Sequence, residues 1–206
     1  MRNKESGETL IEAMLAMAVI LLALIGLLSL SSFNYLSSRE TFNRNIALDL
    51  AREGIELARN VRDSNWFRGC SDLSKPANCF AWNTGLCENI NTKFIPVFDT
   101  NTNKWILQKT AKDLKTCVED KTCLMNKTSL GVYSPQVTGE ATRFYRLLEI
   151  NPICKNEAEC GGDGVCQNGE KCVGEQIGMQ LLSFVRWQET NTMRNAKLEE
   201  RLYNWR

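Results

Sequence analysis

The stretch SGETLIEAMLAMAVILLALIGLLSL, residues 6–30, decides what kind of molecule this is. From Ala13 to Leu30 it carries no charge and nothing more polar than Ser29. About 18 to 20 such residues on a helix cover the roughly 30 Å hydrocarbon core of a bilayer. Residues from about 10 to 30 therefore read as a transmembrane helix. Arg2 and Lys4 precede it with only Glu5 against them, so the positive-inside bias places the N-terminus in the cytoplasm and the chain after the span across the membrane. One residue is out of keeping. Glu12 sets a carboxylate in the apolar approach, where deep insertion costs about 2.5–3.5 kcal/mol. A secretory signal peptide shares the basic start and apolar core, but this run is longer than a signal core and Glu12 suits neither a signal nor a plain anchor.

The helical pattern continues beyond the span. From Phe33 to Trp66 there is no proline and only one glycine, Gly54. Phe42, Ile46, Leu50, Leu57 and Val61 recur at helical spacing with Ala47, Ala51 and Ala58 beside them, while Asp49, Arg52, Glu53, Glu56, Arg59 and Asp63 lie largely opposite. A single helix from Glu8 to about Asn65 is on the order of 85 Å long, more than a small domain can bury. Half of it must meet lipid or like helices, and half packs on the rest of the chain.

Composition narrows the remainder. The chain has 206 residues, 25 basic against 24 acidic, with no strongly basic half, so charge predicts no nucleic-acid partner. It has no histidine, the side chain most used for proton transfer near neutral pH and the commonest nitrogen ligand of metals. No Ser, Cys or paired-carboxylate constellation specifies a reaction, so an enzyme is not expected, nor a cofactor. Nine cysteines without histidine partners read as disulfides, which persist outside the reducing cytosol.

After residue 66 the pattern breaks into short pieces. KFIPVFD (93–99), KWILQK (104–109), RFYRLLEI (143–150), MQLLSFVRWQE (179–189) and AKLEERLYNW (196–205) read as strands, the last two joined through TNTMRN as an antiparallel hairpin. A long helix followed by antiparallel strands is an α+β arrangement. The domain organisation expected is a leader over 1–7, a long helix over 8–66 with a transmembrane and an amphipathic half, and an extracytoplasmic head over 67–206 with a cysteine-rich insert over about 154–172.

That insert, CKNEAECGGDGVCQNGEKC, spaces Cys154, Cys160, Cys166 and Cys172 by five residues in a background with almost nothing to bury. Such a segment needs covalent staples to offset its ordering entropy. Two disulfides are expected there, with three pairings open. Structural zinc usually takes pairs spaced by two to four residues, and the run lacks the alternating acids of a calcium loop, so no metal is expected. Cys117 and Cys123 repeat the spacing and are expected to pair; Cys70, Cys79 and Cys87 leave one thiol over, either buried and free or linked to a neighbouring subunit.

The segment SGETLIEAMLAMAVILLALIGLL resembles the N-terminus of type IV prepilins and pseudopilins. In that family a basic leader ends in Gly, a membrane peptidase cuts after it on the cytoplasmic side, and the new N-terminus is methylated. The resemblance implies cleavage between Gly7 and Glu8, methylation at Glu8, and the family's T-L-[IL]-E on Thr9, Leu10, Ile11 and Glu12, with Glu12 serving assembly. One position departs: the first mature residue is usually Phe and here is Glu8. The helix end NIALDLAREGIELARNVRDSNW and the closing VRWQETNTMRNAKLEERLYNWR also resemble pilin-like proteins. The implied partners are the prepilin peptidase, other pilin or pseudopilin subunits, and membrane lipid before assembly into a cell-surface fibre. The alternative on residues alone is a single-pass anchored binding protein with a disulfide-stabilised extracellular head.

Overall fold

The computed structural model describes residues 5–69, 81–167, 169–190 and 192–204. One helix, α1 (Glu5–Arg68), is followed by β1 (Thr92–Asp99), β2 (Lys104–Thr110), α2 (Leu114–Glu119), β3 (Leu124–Lys127), β4 (Tyr133–Ser134), β5 (Glu140–Cys154), β6 (Gln176–Glu189) and β7 (Thr192–Tyr203). The class is α+β: a long, initially apolar helix packed on an antiparallel sheet. Two compact units divide the chain within α1, residues 1–44 and 45–206. In the first, the apolar side chains from Leu10 to Leu36 are exposed, and the helix is long and apolar enough to cross a membrane, with none of its most apolar window buried.

In the second unit β5 organises a seven-stranded sheet. β6 runs along one side of it from Phe144 to Cys154, so β1 (at Leu148 to Ile150) and β3 (at Glu140 to Tyr145) must share the other side. β2 and β7 close the two ends against β1 and β6. The central strands β5, from Phe144 onward, and β6 are largely buried, whereas β7, at an edge, alternates. The strand expectations are met in order, with β5 longer at both ends and β6 and β7 beginning earlier than expected. Thr192–Asn195, expected as connection, already pairs in β7, and the turn is tight, with Thr190 in the left-handed region at φ 50°. β3, β4 and α2 were not expected: they are short, and α2 rests on a polar cap, Asp113 accepting from the Thr116 N–H, not on an apolar period.

The packed face of α1 is rotated from the one expected. Phe42 is 65% exposed and Ile46, Leu57 and Val61 are only half-buried, while Ala47, Leu50, Ala51, Ile55 and Ala58 are buried. The alanines lie at the centre of the contact, not at its flank. Small residues let the helix axis approach the sheet, where Phe94, Leu148, Ile150, Met179, Leu181 and Leu202 fill one half of the core and Met125, Phe144, Val185 and Trp187 the other. On the opposite face of the sheet Ile95, Val97 and Leu147 pack with Cys117 and Cys123.

Candidate functional site

The N-terminal segment is built by a helix that offers apolar side chains on every side. Leu10, Ile11, Met14, Leu15, Met17, Val19 and Ile20 are each 58% or more exposed, so no part of the first unit buries them. Glu12 is exposed among them. Gly7 and Glu8 lie within α1, on its first turns. An apolar surface this continuous is stable only in lipid or against other apolar helices.

The head end of α1 is held by an ion pair between a buried arginine and a partly exposed carboxylate. Arg146 on β5 is 1% exposed, donates from Nη1 to Glu53 Oε2 at 2.5 Å and to the Leu50 carbonyl at 3.2 Å, and stacks its guanidinium 5.3 Å from the Trp105 ring centre. Burial pushes the Arg146 guanidinium below the ordinary arginine range, with Glu53 acting against it. Arg146 Nε and Nη2 and the Ser183 hydroxyl are buried without a hydrogen-bond partner among the described residues. Gly54 makes this approach possible: a Cβ there meets Ser183 Oγ at 2.7 Å. Glu53, placed by the helical period on the solvated face, instead pairs with Arg146, while Arg146 inside the apolar run RFYRLLEI and Gly54, the one glycine of the amphipathic stretch, were visible in sequence without a role.

The cysteine-rich insert closes on itself. Cys154 pairs with Cys172, Cys160 with Cys166, and Cys117 with Cys123. Cys154 Sγ also lies 3.4 Å from both Cys160 Sγ and Cys166 Sγ, so the two bridges of the insert form one buried sulfur cluster. Backbone bonds tie it to the sheet: Cys154 N–H donates to the Gly164 carbonyl at 2.8 Å, Cys166 N–H to Pro152 at 3.0 Å and Cys172 N–H to Asn89 at 2.8 Å. Gly164 holds φ 73° with the Cys154 carbonyl 3.2 Å from where a Cβ would stand, a place for glycine alone. Three of these sulfurs converge closely enough to hold a metal ion, but as disulfide sulfurs they are not the thiolates such a site requires. Cys70 and Cys79 lie outside the described residues.

Among the described residues Cys87 is the free thiol, and it is fully buried. Burial pushes it up to about 12, against the hydrogen bond from Gln176. Gln176, 8% exposed at the start of β6, aims Nε2 at Cys87 Sγ from 3.3 Å and donates to the Gly178 carbonyl at 3.0 Å. Its Oε1 accepts from Asn83 Nδ2 at 2.8 Å and from the Asn89 N–H at 3.2 Å. Every polar atom of this amide is engaged, and the plane of the group is set. The groove along α1 and the start of β2, lined by Glu53, Arg59, Asp63, Lys104 and Trp105, mixes both signs of charge and gathers no catalytic set. Asn126 on β3 donates its amide to the Val137 carbonyl at 3.2 Å.

Among known proteins, the model of the prokaryotic N-terminal methylation motif matches residues 2–28, the prepilin-type signature. No curated protein and no solved structure matches the chain. The chain thus carries a prepilin-type methylation signature on a helix that is long and apolar enough to cross a membrane.

Proposed function

We propose that this chain is a minor structural subunit of a type IV pilus or a type II secretion-like pseudopilus. It is cut after Gly7 by a prepilin peptidase, methylated on the Glu8 amine, and assembled with other pilin-like subunits through α1. It waits in the cytoplasmic membrane with its N-terminus inside and the head outside, and then passes into an extracytoplasmic fibre. The observation that carries this reading is the methylation motif over residues 2–28 set on a helix whose apolar side chains are exposed on all sides.

Glu12 acts by charge. Cleavage frees an α-amine in apolar surroundings, and a carboxylate on the neighbouring subunit's helix neutralises it where an unpaired charge is costly. The role is structural, not catalytic. Glu8 lies four residues from Glu12, on the same helical face, so two carboxylates share one amine and the positive end of the helix dipole. That doubling suits a fibre tip or an occasional position better than the repeating subunit; recovery of the chain as the bulk component of purified pili would overturn this point.

The deciding experiment is mass spectrometry of the mature N-terminus. A methylated chain beginning at Glu8 is expected. A chain beginning at Met1 overturns the reading and leaves an anchored binding protein. In the same cells Glu12→Ala is expected to be cleaved but to fail to enter fibres.

A further inference from the structure

We propose that Cys87 and Gln176 form an intramolecular thioester, so that a covalent bond ties the segment after α1 to the start of β6. The proposal rests on the contact between a buried free thiol and a buried, immobilised carboxamide, and it is independent of the fibre assignment.

The two reacting groups are in contact, with the amide N–H donating to the thiol, and attack needs the Cys87 side chain to turn Sγ from Nε2 onto the neighbouring Cδ. Cys87 Sγ lies 3.3 Å from Gln176 Nε2, and the electrophilic Cδ is the atom bonded to that nitrogen. Gln176 Oε1 receives two N–H groups, Asn83 Nδ2 at 2.8 Å and the Asn89 backbone at 3.2 Å. Two donors on a carbonyl oxygen polarise it and stabilise the oxyanion that forms when a nucleophile adds to its carbon; one such donor is worth about 10²–10³ in rate. Asn89 holds φ 63°, an unusual conformation for a non-glycine residue, and its N–H is the one turned to Gln176 Oε1. Asn83 contributes twice, since the same Nδ2 also donates to the Cys87 carbonyl at 3.2 Å and so fixes the nucleophile's own residue.

The step balances without an oxidant or reductant. Sγ adds to Cδ, Oε1 carries the negative charge against its two donors, and collapse breaks the Cδ–Nε2 bond. The nitrogen leaves as ammonia with the proton of the thiol, which moves across the Sγ to Nε2 contact. Burial pushes the Cys87 thiol up to about 12 and so opposes a free thiolate, which requires the proton to pass to the leaving nitrogen as Sγ adds. A thioester is a weaker acyl bond than an amide. Two things offset this: the escape of ammonia into solvent, and the contact between thiol and carboxamide within one chain, which makes the attack unimolecular. Water, the competing nucleophile, is kept out, since Cys87 and Leu86 are at most 1% exposed.

The bond sits beside the insert. Asn89 accepts from Cys172 N–H at 2.8 Å and Ile90 bridges to Lys171, so the thioester and the two insert disulfides brace one corner of the head.

The test is a peptide map of the full-length protein, purified in detergent, unfolded in iodoacetamide and digested. The expected result is a joined peptide pair, Cys87 with Gln176, lighter by the mass of one ammonia, with Cys87 not alkylated. Methylamine added on unfolding is expected to open the bond, leaving a methylamide on Gln176 and a Cys87 thiol that now alkylates. Gln176→Glu, close in shape, removes the ammonia-bearing leaving group and is expected to leave Cys87 fully alkylatable. Full alkylation of Cys87 in the wild-type chain with the Gln176 amide intact overturns the proposal, as does Cys87 in a disulfide. The wild-type map decides alone if the variant does not accumulate.

Discussion

Gly54 and Arg146 carry more of the helix-to-sheet contact than their neighbours, and each makes a prediction. Alanine at Gly54 drives a methyl into Ser183 Oγ at 2.7 Å, a clash of the overpacking kind that costs about 1–3 kcal/mol. Thermal unfolding of the head should show the loss, and the Gly54→Ala/Ser183→Ala pair should recover most of it, since the next atom, Ser183 Cβ, is at 3.7 Å. Ser183→Ala alone should be neutral or stabilising, because the hydroxyl is buried with no partner among the described residues. For the ion pair the expectation is asymmetric. Glu53→Ala strands a buried guanidinium and should cost about 2–3 kcal/mol, the low end for a broken buried pair because Glu53 is 37% exposed. Arg146→Met removes the desolvated charge itself and should cost less; denaturant midpoints of the two variants check the order. Sequence made these residues visible as oddities without a meaning. Whether a lone helical glycine is a flaw or a contact depends on what stands opposite, and Ser183 is 129 positions away in the chain.

Among the elements, α2 and its loop show how a short piece survives without an apolar period. The loop is stapled by Cys117 and Cys123, capped by Asp113, and closed by Asp120, which takes Lys112 and the hydroxyl and N–H of Thr122. Hydrogen bonding to Lys112 and Thr122 draws Asp120 down to about 2, and the Thr116 N–H lowers Asp113 likewise. Both folded values lie below the unfolded one of about 3.9, so the stabilisation is present above that pH and is lost as pH falls toward about 2. Amide exchange at Thr116 and Thr122 should therefore quicken over that acid window while the β5–β6 ladder stays protected. The insert makes the complementary case. Opening Cys154–Cys172, with its sequence separation of 18, should cost about 3 kcal/mol by loop closure and release the insert first. Exchange in a Cys154→Ser/Cys172→Ser protein should rise from Lys155 to Glu175 more than in β6. The strands were legible because β-branched and aromatic runs between Asn, Asp and Thr turns leave few other readings. α2, β3 and β4 were not, because they rest on caps, a staple and pairing partners and not on periodicity.

At the scale of the whole molecule two surfaces differ in character, and the change lies inside a single helix. Up to Leu36 the apolar side chains of α1 are exposed; from Ala47 the helix carries a narrow stripe of small residues that the sheet buries. Removing residues 1–44, the first compact unit, should leave a soluble head that unfolds cooperatively, since the core residues lie at or after Ala47. Solution scattering and a single unfolding transition check it; an aggregated fragment would count against the division. The membrane-length run, the prepilin-type signature, the α+β order and the expectation of oxidised cysteines could all be read along the chain. Each is written in local composition and spacing, which act over a few residues. The pairing of the four insert cysteines, the rotation of the buried face of α1 onto its alanines, the Arg146–Glu53 clamp and the meeting of Cys87 with Gln176 could not. Those depend on which strand lies beside which, and an equal spacing or a helical period is compatible with several such arrangements until the sheet selects one.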